Sequence, residues 1–138
     1  MLYESDKDRA NEQRLMDAIA EAHGLHFVKL PMKYTLDALA FVEGDAKCFF
    51  EFKSRENSVQ KFPTAMVNLG KVIAASNLSR ATGLKCWLCV EWTDQVGVID
   101  FASPIEIGVG GRTDRGYPND IDLMAHYPIT GFRMLNLF

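Results

Sequence analysis

Apolar residues recur at helical spacing near the start of the chain. They are separated by one, three or four positions and would form one stripe on a helix over residues 8–23: Leu15, Met16, Ile19 and Ala22. Gly24 is suited to ending such a helix. Glu12 falls within the arc of this stripe, so we expect its carboxylate to point toward the body of the protein. The alternative is that Glu12, in the first turn, suits the helix dipole and reaches water.

Shorter apolar runs then predict three strands. LHFVKL is a short strand stopped by Pro31, residues 34–42 (YTLDALAFV) form a second strand, and residues 47–53 (KCFFEFK) form a third. The polar segment EGDA predicts a turn between the last two strands, which makes them a hairpin. Both faces of residues 36–42 are apolar apart from Asp37, so we expect this hairpin to lie centrally in a sheet covered on both sides.

The second half of the chain continues with a helix and another hairpin. Residues 63–80 predict the helix, with Pro63 in its first turn and Gly83 at its end. LKCWLCVEW and VGVIDF, joined by TDQ, predict the hairpin. After Ser103, IEIGV alternates, GGRTDRGYPND is typical of a loop, and the last residues predict no element. The order of helices and strands indicates an α/β fold, with a mixed central sheet flanked by helices.

Composition is that of an ordinary globular protein. The chain has 138 residues, 48% of them hydrophobic and 24% charged, which suits a single domain. No apolar run approaches the roughly 18 residues of a membrane span, and the acidic, polar start does not resemble a signal segment. The odd number of cysteines, three, argues against a disulfide framework. We therefore expect a cytoplasmic protein with no membrane partner.

Charge is unevenly distributed along the chain. The net charge of −3 argues against a nucleic-acid binder that works by bulk electrostatics. Residues 53–85, however, carry six basic side chains and one acidic one, while the segments on either side are both acidic. This basic stretch indicates either a surface for an anionic partner or simply a solvated helix face.

The first candidate site residues lie in the segment FFEFKSR, residues 49–55. Glu51 and Lys53 are two positions apart, so a pleated strand puts both on one face. A three-residue loop, Gly44-Asp45-Ala46, with a glycine bulge would place Asp37 on that same face, opposite Lys53 and diagonal to Glu51. A two- or four-residue loop would turn Asp37 away.

In the favourable register, the two carboxylates lie close enough to share one divalent cation. The bland alternative is a cross-strand salt bridge between Lys53 and either carboxylate, which would contribute little. Three ionisable groups on one face of an apolar hairpin favour a functional site, because such an arrangement is costly in a core without a functional reason.

These residues resemble a known family. Asp37, thirteen intervening residues and then Glu51-x-Lys53 at the end of a strand are similar to the signature of the PD-(D/E)XK nuclease superfamily. The order of elements resembles its restriction-endonuclease-like αβββαβ core. Most similar are the small Holliday-junction resolvases and the virus-type replication-repair and phage nucleases. The resemblance covers residues 8–101, leaves a C-terminal extension (102–138) unexplained, and departs from the usual pattern at Leu36, where a proline commonly stands.

The resemblance implies a phage or bacterial DNA nuclease, an endonuclease that hydrolyses phosphodiester bonds with Mg²⁺ or Mn²⁺. Asp37, Glu51 and the carbonyl of Phe52 would hold the metal ion. Lys53 would orient the attacking water. Glu12 in the first helix would bind a second metal or a water in the metal's shell.

The resemblance also implies nucleic-acid contacts from the loop and helix that follow the Glu51-x-Lys53 strand. The candidates are Arg55, Gln60, Lys61 and Lys71. Lys71 is equally well interpreted as a surface lysine on a helix. A homodimer is plausible for an enzyme that cuts two strands. The rival interpretation, from another functional class, is a catalytically inactive module with the nuclease fold that binds nucleic acid or a host protein.

Other motifs give weaker evidence for a functional site. Cys86 and Cys89 have the spacing of a zinc half-site, but within a strand they point to opposite faces, so we interpret them as core residues. His126 has no ligand or triad partner at recognisable spacing. Arg112 and Arg115, in GRTDRG, would either reach DNA phosphates or pair with nearby aspartates, and the sequence does not choose between these.

Overall fold

The computed structural model describes residues 6–31, 36–111 and 121–137, except for the side chains of residues 6–8, 110–111 and 121. The elements in chain order are α1 (Asp6–His23), β1 (His26–Lys29), β2 (Ala38–Val42), β3 (Asp45–Ser54), β4 (Thr64–Asn68), α2 (Leu69–Thr82), β5 (Lys85–Glu91), β6 (Val96–Asp100), β7 (Glu106–Gly111), β8 (Ile121–Pro128), a 3-10 turn (Ile129–Gly131) and β9 (Arg133–Leu135). In this part of the chain neither helix is long and apolar enough to cross a membrane.

A six-stranded mixed sheet forms the centre of the fold, in the order β1-β2-β3-β5-β6-β9. Only β3 and β5 pair in parallel, and the other neighbours are antiparallel. α1 covers one face through Leu15, Met16 and Ile19. α2 and a second sheet, in the order β4-β8-β7, cover the other face. The α/β expectation of a mixed central sheet between helices is confirmed.

The helix expected over residues 63–80 is wrong in its first part. Residues 64–68 form β4, which pairs antiparallel with β8. Ala65 and Val67 alternate into the core, and this burial against a distant strand outweighs the local preference of the segment for helix. α2 begins only at Leu69, where the side chain of Asn68 accepts a hydrogen bond from Gly70 N at 2.7 Å. The expected end at Gly83 is correct: it adopts a left-handed φ of 75°.

The C-terminal extension supplies strands to both sheets. β7 and β8 build most of the second sheet, and β9 forms an edge of the central one. Ala125 and Tyr127 of β8 are completely buried, and the Tyr127 hydroxyl donates a 2.8 Å hydrogen bond to the carbonyl of Phe101. Residues after 101 therefore complete the core around the expected nuclease-like elements.

The loop of the β2–β3 hairpin differs from the three-residue loop that the sequence suggested. It has two residues, Glu43 and Gly44, with left-handed φ values of 51° and 86°. A regular two-residue hairpin would turn Asp37 away from Glu51. Lys47, however, has no partner on β2, and this bulge shifts the register by one residue, so that Ala38 pairs with Phe50. Asp37 consequently lies on the same face as Glu51, as expected, but this register puts it opposite Glu51, so the expected position opposite Lys53 is wrong.

Candidate active site

Asp37 is hydrogen-bonded to β3 close to the carboxyl end of that strand. Its main-chain N–H donates to the Phe50 carbonyl at 3.0 Å. Its side-chain Oδ2 accepts a 2.8 Å hydrogen bond from the N–H of Phe52. The second contact fixes the carboxylate of Asp37 beside the residue that separates Glu51 from Lys53.

Successive β3 side chains point to opposite faces of the central sheet. Phe50 and Phe52 face α1, with ring centroids 5.5 Å apart and planes nearly parallel. Glu51 and Lys53 must therefore face the side of the sheet that is covered by α2. The aromatic residues anchor β3 on one face, which leaves its charged residues on the other.

Glu51 is a buried carboxylate with unequal surroundings at its two oxygens. The residue is 2% exposed. Oε2 lies 3.4 Å from Nζ of Lys53 and 3.1 Å from Nζ of Lys71. Oε1 is buried and has no hydrogen-bond partner among the described residues. Burial, and then the charge of Asp37, raise the pKa of Glu51 to about 7, although the two lysines act in the opposite direction.

Lys71 reaches Glu51 because α2 begins nearby. The cap at Asn68 starts the helix at Leu69, which puts Lys71 in the first turn. The sequence had suggested Lys71 as a nucleic-acid contact but gave no reason to place it against Glu51, since the helix was expected to start at Pro63. The signal that would have revealed the true start is Asn68 itself, a favoured N-cap residue just before Leu69.

Glu12 lies on α1, which packs against the opposite face of the sheet from Glu51. Its side chain is 12% exposed, as the helical stripe suggested, and Oε1 lies 3.4 Å from Nζ of Lys29. Within the described ranges, no three or more histidine, cysteine, aspartate or glutamate side chains are grouped to hold a metal ion. A role for Glu12 in the site therefore stays a prediction.

The remaining candidate residues lie in the loop from β3 to β4. Arg55 donates from Nη2 to the carbonyl of Met66 at 2.8 Å, and burial lowers the pKa of its guanidinium. Gln60 and Lys61 are exposed. Arg112 and Arg115 lie outside the described residues. The structure thus gathers Asp37, Glu51, Lys53 and Lys71, and places the other candidates farther along the same stretch of chain or on α1.

The cysteines occupy the core, as expected. Cys86 faces the α2 side of the sheet and Cys89 the α1 side, and both are buried. Burial raises the pKa of the Cys86 thiol to about 11. His126 contacts Thr64, with 3.0 Å between Nδ1 and Oγ1. Among the described residues, neither the two cysteines nor His126 belongs to a group of side chains that could hold a metal ion.

Comparisons with known proteins agree with this geometry. The structure is similar to that of Hjc, a Holliday junction resolvase from the archaeal hyperthermophile Archaeoglobus fulgidus. The TM-score is 0.65 at 13% identity, over 96% of this chain and 93% of that one, which shows a shared fold. No curated protein matches. The model of the family described as "Phage putative PDDEXK endonuclease" matches residues 1–135. The chain therefore belongs to this phage PD-(D/E)XK endonuclease family.

Proposed function

We propose that this protein is a DNA endonuclease that needs Mg²⁺ or Mn²⁺ and that uses Asp37, Glu51 and Lys53 to hydrolyse phosphodiester bonds. The observation that carries the proposal is the buried Oε1 of Glu51, which has no hydrogen-bond partner among the described residues and lies beside a second carboxylate. A buried charge in this position is costly without a further cation.

The donor set fits a hard divalent ion. Asp37 and Glu51 would each supply one carboxylate oxygen. The N–H of Phe52 points at Asp37, and in an extended strand the carbonyl of the same residue points to the same side, so it would be a third ligand. Mg²⁺ typically takes one or two carboxylates from the protein and completes its shell with water and substrate phosphate. Among the described residues, two carboxylates, those of Asp37 and Glu51, are brought together here, which is consistent with that preference.

Each residue then has a chemical role. A bound divalent ion supplies charge stabilisation at the scissile phosphate and lowers the pKa of water. Lys53, with an ammonium that remains partly exposed next to Glu51, would orient the attacking water. Lys71 would contact the phosphate from the first turn of α2. Glu12 would act from α1 through a second metal or a water.

DNA would approach along the loop that follows β3. Arg55, Gln60 and Lys61 would contact it there, since the positive charges of Arg55 and Lys61 suit phosphates and the neutral Gln60 amide can donate hydrogen bonds to them. We place the protein in the cytoplasm of a bacterium or a phage-infected host. Because two sites can cut both strands of a duplex in one binding event, we also propose a homodimer, which sedimentation at micromolar concentration would detect.

The test is cleavage of supercoiled, linear, branched and single-stranded DNA with Mg²⁺, with Mn²⁺ and with chelator. Wild-type protein should cut only with metal, whereas Glu51→Gln and Lys53→Met should lose at least about a hundredfold in rate. Lys85→Met is the matched control, because Lys85 lies on the same sheet at the start of β5 and is exposed. Binding without cutting on every substrate would favour the inactive module instead.

A further inference from the structure

Phe62 is an aromatic residue that the fold leaves in solvent. It is 53% exposed, although most of the chain's other phenylalanines among the described residues are buried. Phe62 lies in the loop between β3 and β4, residues 55–63. A single exposed apolar residue is common on proteins, so the case for a function rests on how this loop is held and on what lies beside the ring.

The base of the loop is fixed to the turn that joins β5 and β6. Thr93 N donates to the Asn57 carbonyl at 3.1 Å, and Val59 N donates to Oδ1 of Asp94 at 2.9 Å. Val59 is buried in the core. The three residues that follow, Gln60, Lys61 and Phe62, are exposed. The loop therefore presents its tip from a rigid base.

The loop also connects two parts of the candidate active site. It leaves β3 just after Lys53, and it returns through β4 to the start of α2, which carries Lys71. The turn that anchors it follows β5, and β5 runs parallel to β3, so the anchor lies at the carboxyl end of β3. Phe62 is consequently displayed from the end of the sheet at which Glu51 and Lys53 lie.

The ring has a cation over it. Nζ of Lys61 lies 5.5 Å from the centroid of the Phe62 ring. An exposed aromatic ring next to an ammonium is the combination with which proteins hold single-stranded nucleic acid, where the ring stacks on a base and the cation meets the phosphate. A base inside a continuous duplex has no free face to offer, whereas an unpaired or unstacked base does.

We propose that Phe62 stacks on an unpaired base of the DNA substrate, which makes the substrate class DNA with unpaired nucleotides near the cut. Lys61 binds the phosphate of the same stretch. This inference rests on the proposed function, because it assigns the specificity of that site. It identifies Phe62 as a specificity-determining residue with no part in the bond cleavage itself.

The experiment measures binding without cutting. Fluorescence anisotropy in Ca²⁺ buffer, on the Glu51→Gln background, would compare three probes of matched sequence: a single strand, a forked duplex and a blunt duplex. Phe62→Ala should weaken binding of the single strand and the fork by about five- to a hundredfold and change the blunt duplex by less than twofold. Phe62→Trp should bind the single strand and the fork as tightly as the parent protein does.

Ile73→Ala is the matched control, because Ile73 is equally exposed but lies on α2 and has no ring. Its affinities should equal those of the parent protein. Equal loss on all three probes with Phe62→Ala, or no loss on any, would overturn the inference. So would a shift of Phe62→Ala from dimer to monomer in sedimentation, which would assign the ring to contact with a second copy.

The outcomes of this experiment distinguish a failure of the specificity assignment from a failure of the proposed function. If the wild-type protein cuts DNA but Phe62→Ala loses affinity equally for all three probes, or for none of them, only the specificity assignment is wrong. If the protein cuts nothing but Phe62 still discriminates among the probes, the stacking site stands and the catalytic proposal is overturned.

Discussion

Nζ of Lys71 lies 3.1 Å from Oε2 of Glu51, closer than the 3.4 Å of Lys53, which is only two residues from Glu51 in the chain. Both ammonium groups thus contact the same carboxylate oxygen. Oε1 remains buried without a hydrogen-bond partner in the described part of the chain. One oxygen contacts the protein's own lysines, and we propose that the other accepts a further cation.

Because Glu51 is buried, the free energy of unfolding of the metal-free protein should depend on pH. Its pKa is raised from 4.5 to about 7 on folding, so the folded protein holds a proton that the unfolded chain loses between those pH values. The favourable contribution is complete below pH 4.5 and is lost as the pH rises to 7. In chelator, wild type should therefore lose stability as the pH rises, whereas Glu51→Gln should not. The difference in unfolding free energy between Glu51→Gln and wild type should grow by about 3 kcal/mol from pH 4.5 to pH 7.5, in favour of the variant.

Urea denaturation of both proteins at several pH values would measure this difference. Glu21→Gln, at an exposed position of α1, is the control and should follow wild type at every pH. A constant gap between Glu51→Gln and wild type across the range would contradict the raised pKa of Glu51.

Metal binding should release a proton for the same reason. Below pH 7 a divalent ion must displace the proton from Glu51, so Mn²⁺ affinity should fall by roughly tenfold per pH unit, and above pH 7 it should level off. Calorimetry in buffers of different ionisation enthalpy would count the released protons. Asp37→Asn should bind more weakly at all pH values. Affinity that stays the same from pH 5.5 to 7.5 would exclude Glu51 as the titrating ligand.

Local periodicity was enough to predict the central part of the fold. Alternation along residues 49–55 put Glu51 and Lys53 on one face, and the glycines correctly ended both helices. Interactions between distant parts of the chain were not readable in this way. Ala65 and Val67 form a strand only because β8, about sixty residues later, pairs with them. The same limit hid the approach of Lys71 to Glu51.

The second sheet should contribute measurably to stability. The buried hydroxyl of Tyr127 donates to the Phe101 carbonyl, which joins β8 to the end of β6. Tyr127→Phe keeps the ring but removes the donor, so we expect a loss of about 1–3 kcal/mol of unfolding free energy. Urea denaturation would measure it, and DNA cutting well below the melting temperature should be unchanged. A variant as stable as wild type would show that this hydrogen bond is dispensable.

The bulge at Lys47 should control the candidate site from a distance. Because side chains alternate along a strand, one unpaired residue in β3 decides whether Asp37 faces Glu51 or the opposite layer. Deletion of Lys47 would make the hairpin regular beyond its two-residue loop. We expect the protein either to turn Asp37 away or to strain the hairpin, and in both cases to lose Mn²⁺ affinity by at least about tenfold, because one carboxylate ligand is lost or displaced.

Lys47→Ala is the matched control, because it keeps the extra residue and changes only an exposed side chain. It should bind Mn²⁺ like wild type. Circular dichroism and denaturation would distinguish a folded deletion variant with a displaced Asp37 from an unfolded one, and only the folded case bears on the register. A folded deletion variant with unchanged Mn²⁺ affinity would show that the metal site does not depend on which face Asp37 occupies, which would remove Asp37 from the ligand set.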